Sequence, residues 1–141
     1  MRADRWGVCA LGLVILLGLA GCAGQGPTAA PAPVAVTDVA SVAGKWVGLL
    51  AIEGGRDRED YIEVTIEGNG AYRAAAARTI GVMDARGTVA VASGRFLIKG
   101  ESGGQGTAIL YTQPPPDQRM LVVNGTAADG RAYTVRLRPQ R

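Results

Sequence analysis

Along the last hundred positions, apolar and polar side chains change places residue by residue. Ile62, Val64 and Ile66 alternate with Glu63, Thr65 and Glu67, and Tyr133, Val135 and Leu137 alternate with Thr134, Arg136 and Arg138. A period of two is that of a strand with one face buried and the other in water. Turn signals separate such runs at Asn69-Gly70, Asp84 to Gly87, Ser93-Gly94, Gly100 to Gly106, Pro114 to Asp117 and Asp129-Gly130. That rhythm is the mark of an antiparallel meander. It predicts strands near 44–52, 60–67, 70–77, 80–84, 87–92, 94–99, 106–112, 119–126 and 131–138. Helix competes only at Val36 to Val42, which is short, and at Ala74 to Ala77, where alanine propensity meets a strand pattern. Asn69-Gly70 before the alanines and Thr79-Ile80 after them favour strand there. Successive hairpins tend to close, because closure removes exposed edges. The expected fold is all-β: an antiparallel meander of about eight short strands forming a small closed or partly open up-and-down barrel.

The first 37 positions lack this alternation. Arg2 and Arg5 precede an apolar run from Trp6 to Leu19, shorter than the ~20 residues that cross a bilayer and followed by small residues. The run ends in Leu19-Ala20-Gly21-Cys22, which resembles the bacterial lipobox. That resemblance implies a cleaved signal peptide at 1–21 and acylation of the Cys22 thiol, which would hold the protein at a membrane through its acyl chains. Ala23 stands where an aspartate is associated with inner-membrane retention, so the resemblance points to the outer membrane, facing the periplasm. Residues 22–37 are rich in Ala, Gly and Pro, including Pro27, Pro31 and Pro33. They read as a disordered tether of extended polyproline character, with the folded domain at 38–141.

Composition narrows the chemistry. Histidine is absent, Cys9 and Cys22 are the only cysteines, and charged residues make up 19% of the chain. With Cys9 in the leader and Cys22 acylated, no disulfide remains to staple the domain. Histidine-dependent catalysis is excluded. A Ser or Thr nucleophile would need Lys45 or Lys99 as its base, and neither sits in a Ser-x-x-Lys pattern. The net charge of +3 comes partly from the leader and from Arg136, Arg138 and Arg141 near the C-terminus, leaving no basic stripe for nucleic acid. The carboxylates of Glu53, Asp57, Glu59, Asp60 and Glu63 lack the spacing of a calcium loop and are interrupted by Arg56 and Arg58. They read as a solvated hairpin. Gly100 to Thr107 lacks the lysine and the helix of a phosphate loop and reads as a flexible hairpin. Asn124-Gly125-Thr126 reads as turn chemistry. No catalytic residue, metal ligand or cofactor is expected.

The first strand opens Gly44-Lys45-Trp46. This is similar to the Gly-x-Trp opening of lipocalin-like, or calycin, barrels. The resemblance implies that Trp46 plugs one end of the barrel and that Arg136 or Arg138, from the last strand, packs across it. Short strands favour an interior filled by side chains over a ligand cup. The favoured function is a non-catalytic, membrane-anchored envelope lipoprotein with a monomeric domain serving as a periplasmic binding or structural module, engaging the membrane through Cys22 and an envelope protein as partner. An inhibitor of an envelope-directed hydrolase of protease or lysozyme type, and a carrier of a small apolar ligand, are the alternatives.

Overall fold

The computed structural model describes residues 30–54, 58–78, 81–113 and 118–141. The expected signal peptide at 1–21, Cys22 and positions 23–29 lie outside the described residues, as do 55–57, Thr79-Ile80 and the expected turn at Pro114 to Asp117. The alternating runs form β2 (Gly44–Ile52), β3 (Glu59–Ile66), β4 (Ala71–Arg78), β5 (Gly81–Ala92), β6 (Arg95–Gly100), β7 (Gln105–Gln113), β8 (Gln118–Thr126) and β9 (Ala132–Pro139), preceded by β1 (Ala32–Val34). Each strand from β2 to β9 pairs antiparallel with the next. β9 returns to β2 along Trp46↔Pro139 to Ile52↔Tyr133, so eight strands close into a barrel. The alanine run is strand, as the flanking Asn-Gly turn predicts: Gly70 takes φ +90°, and the Asn69 side chain accepts from the Ala71 amide at 2.9 Å. Ser93 and Gly94, at φ 52° and 74°, make the tight turn between β5 and β6 in the left-handed conformation that matches strand twist.

Two stretches depart from the expectation. Asp84 to Gly87 is not a turn, because β5 runs unbroken from 81 to 92. Its first part pairs with β4 as far as Ala71↔Thr88 and its second with β6 from Gly87↔Gly100, so the strand changes partner near Gly87. A Cβ at Gly87 would lie 2.0 Å from the Lys99 carbonyl oxygen and 2.7 Å from the Tyr72 ring. The glycine permits close approach of neighbouring strands rather than a reversal. The second departure is at the tether, whose last residues belong to the fold. Ala32↔Thr112 to Val34↔Leu110 pair β1 with β7 beyond the reach of β6, which stops at Ala108, and Val36 is buried. Of the short helical candidate at Val36 to Val42, only Val39–Val42 coils, as one 3₁₀ turn capped by the Asp38 side chain on the Ala40 amide at 2.8 Å.

That turn seals one end of the barrel. Trp46, 1% exposed, points inward from β2 and donates its indole N–H to the Val42 carbonyl at 2.8 Å. Val42 and Phe96 are buried in the same core. The cation over the indole is Arg119, at the start of β8, with its guanidinium carbon 5.6 Å from the ring centroid and its Nη1 donating to the Ser41 carbonyl at 2.7 Å. Arg136 and Arg138 do not take this part. They flank Leu137, whose side chain is inside, so strand alternation turns both outward; Arg136 instead meets Glu59 at 3.5 Å on the exposed surface. Gly44 lies beside the plug with φ +131°, a conformation that a side chain would strain.

Trp46→Ala is expected to lower unfolding stability by about 3–5 kcal/mol. Trp46→Phe should cost about 1–3 kcal/mol by leaving the Val42 carbonyl without its donor. In a Trp6→Phe background, Arg119→Ala should shift indole emission to the red, whereas Arg136→Ala and Arg138→Ala should leave it in place. Denaturant titration followed by circular dichroism and fluorescence checks all of these.

Candidate functional site

Inward positions at the other end of the barrel carry small or slender side chains. Ala74, Gly100 and Gly104 are among the residues that line the interior there. They border a cavity of about 350 Å³ walled by side chains such as Leu50, Ile62, Val64, Val123 and Val135. The interior is therefore not filled by side chains. Strand length was a poor guide to it, because residue volume on the inward face sets the space an eight-stranded barrel encloses. The rim comes from Asp84 to Arg86 on β5, Ser102 and Gly104 between β6 and β7, and Ala127 to Asp129 with Arg131 between β8 and β9. No polar or charged residue among those described is fully buried in the core.

Two tyrosines shape the cavity. Tyr72 on β4 crosses Gly87 on β5, and its hydroxyl reaches 3.6 Å from where a Cβ of Gly100 on β6 would stand. Tyr133 on β9 crosses Gly125 on β8 in the same way, its ring 2.7 Å and its hydroxyl 2.6 Å from a Cβ there, and the hydroxyl 2.9 Å from a Cβ at Gly106 on β7. Each ring thus covers two glycines on successive strands, restoring the packing that glycine lacks. The rings come from strands on either side of the β6–β7 hairpin, the Tyr72 hydroxyl ending near Gly100 on β6 and the Tyr133 hydroxyl near Gly106 on β7. Burial pushes the Tyr72 hydroxyl above the ordinary phenol range, with Tyr133 and Glu101 adding to it; burial alone raises Tyr133. At the rim, Arg131 clasps Asp129 through Nη2 at 2.6 Å and Nε at 2.7 Å, and this hydrogen bonding holds the Asp129 carboxyl below its usual range.

The other candidate motifs resolve into structure. Gly100 to Thr107 is the expected hairpin, closed by the Gly100 amide on the Gly104 carbonyl at 2.7 Å. Asn124-Gly125-Thr126 lies within β8 and is not a turn: Asn124 accepts from the Thr134 hydroxyl at 2.9 Å, and Gly125 underlies Tyr133. Glu59 and Glu63 are spread along the outward face of β3, where Glu63 meets the Tyr61 hydroxyl at 3.4 Å. The tyrosine pair escaped the sequence reading, since the opposition of Tyr72 to Gly87 and of Tyr133 to Gly125 exists only once the register is fixed. No protein-family model, curated protein or solved structure matches the chain.

Both phenols hold their protons more tightly in the folded barrel than in the unfolded chain. Their contribution to stability is complete below the ordinary phenol value of 10.0 and is lost as pH rises through the higher folded values. Alkaline unfolding curves of Tyr72→Phe and Tyr133→Phe should each fall less steeply above pH 10 than the parent curve. Ultraviolet phenolate titration of the folded proteins should lose its latest-ionising component in the same variants.

Proposed function

We propose that this protein is a membrane-anchored envelope lipoprotein whose lipocalin-like barrel binds a small, predominantly apolar molecule in its interior. The observation that carries the reading is the cavity of about 350 Å³ within a barrel sealed at one end by Trp46. Its size lies in the range of small-ligand sites, which are mostly apolar with a few placed polar groups. A binding module of this kind needs no catalytic group, in keeping with a chain that has no histidine. Retaining such a space in a small domain has a stability cost, since a cavity forfeits contacts that a filled core would make. That cost is consistent with selection for an occupant.

Position in the chain supports an anchored arrangement. β1 meets β7 at Ala32↔Thr112, and Thr112 pairs in turn with Arg119, the residue over Trp46. The N-terminal segment therefore leaves from the sealed end. With acyl chains on Cys22, the cavity would open away from the bilayer. The occupant would then be exchanged with the aqueous side rather than drawn directly from the lipid below.

Cys22→Ser should abolish incorporation of labelled palmitate and leave the precursor unprocessed; palmitate entering the variant would contradict the anchor. Ala74→Leu, which fills cavity space, should weaken binding of the uncharged fluorophore N-phenylnaphthylamine by on the order of tenfold or more while stability holds or rises. A parent protein that leaves the fluorophore dark, and carries no bound small molecule in native mass spectra when purified from its own envelope, would contradict the cavity as a binding site.

A further inference from the structure

The cavity presents one polar feature that packing alone does not require. Among the described residues, neither the Tyr72 nor the Tyr133 hydroxyl has a hydrogen-bond partner, although both line the cavity and both rings are pinned over glycines. Phenylalanine would cover those glycines equally well, so the shape of the wall does not explain the two oxygens. A phenol set in an apolar wall loses part of its hydration and regains it when something accepts from it. Gly100 and Gly106, over which the hydroxyls end, lie on the two paired strands of one hairpin, with Ile98↔Gly106 as the register. The two donors therefore lie over the same hairpin, on the wall of one cavity.

The surroundings also limit its charge. Asp129 and Arg131 are already paired with each other, Asp84 and Arg86 supply the rim with both signs, and the interior holds no buried charge. Arg86, the lining cation with no ion-pair partner among the described residues, is exposed on β5 beside the buried Gly87, so a carboxylate drawn to it would stay in water at the rim.

We infer that the molecule carried by this barrel is an uncharged hydrocarbon bearing a carbonyl at one end, whose oxygen accepts from both Tyr72 and Tyr133 while its chain runs inward among Leu50, Val64 and Leu121. A carbonyl oxygen has two lone pairs and satisfies both phenols at once. A carboxylate would bring a charge into the apolar interior without a partner, and a plain alkane would leave both hydroxyls bare. This identification rests on the cavity being a binding site, as proposed above.

The test compares methyl octyl ketone, decanoate and decane on the full chain reconstituted in lipid nanodiscs, with empty nanodiscs as blank, by calorimetric titration. The ketone should bind tightest. Tyr72→Phe and Tyr133→Phe should each weaken it roughly twofold to tenfold and leave decane unchanged. The infrared carbonyl stretch of bound ketone should move to higher frequency in the double variant, as the hydrogen bonds are lost. Retained decane binding shows that the variants are folded. Equal binding of ketone and decane with no effect of either substitution, or tightest binding of decanoate, would overturn the inference while leaving the cavity as a site. Failure of all three compounds to bind would remove the binding site itself.

Discussion

The bond from the Trp46 indole to the Val42 carbonyl decides which end of this barrel is closed. A closed sheet has no edges, but it has two ends, and a small domain has few large side chains with which to fill them. Here one buried tryptophan, one 3₁₀ turn and one arginine do so together. Asp38 caps the turn, the turn offers its last carbonyl to Trp46, and Arg119 covers the ring while holding the Ser41 carbonyl. The segment before the barrel is drawn into the same arrangement through β1 and the buried Val36. Sealing, N-terminal attachment and the position of the cavity all depend on one hydrogen-bonded corner.

At the other end the constraint is volume. Glycines on the inward faces of β5, β6, β7 and β8 let the strands approach closely, but they leave backbone without side-chain cover. Tyr72 and Tyr133 supply that cover from neighbouring strands, each lying over a pair of glycines. Rings are broad and flat, so they shield the glycines without filling the middle of the barrel. The same pairing that stabilises the wall places two donors at the rim of an apolar space. A change at Gly125 would consequently be felt as a displaced hydroxyl at Tyr133.

Much of the architecture was legible in the chain. Period-two alternation and Asn-Gly or Ser-Gly turns located the strands, including the alanine-rich β4, because a hairpin turn constrains the next strand more firmly than local alanine preference does. Trp46 was legible as a core plug. Its partner was not: a tryptophan near the start of one strand gives no sign of which arginine comes round the barrel to meet it. Alternation pointed outward for Arg136 and Arg138, and that local rule held. Gly87 and Gly125 look like turn residues because the sequence does not distinguish a glycine needed for reversal from one needed for close approach.

By itself the sequence determined the all-β meander, the positions of most turns, the inward set of side chains and the absence of histidine chemistry, since each depends on neighbours within a few residues. Tertiary structure decided the closure of β9 on β2, the unbroken course of β5, the recruitment of β1, the choice of Arg119 and the cavity itself. All of these depend on register between strands, and register sets which residues far apart in the chain share a face, a corner or an empty space.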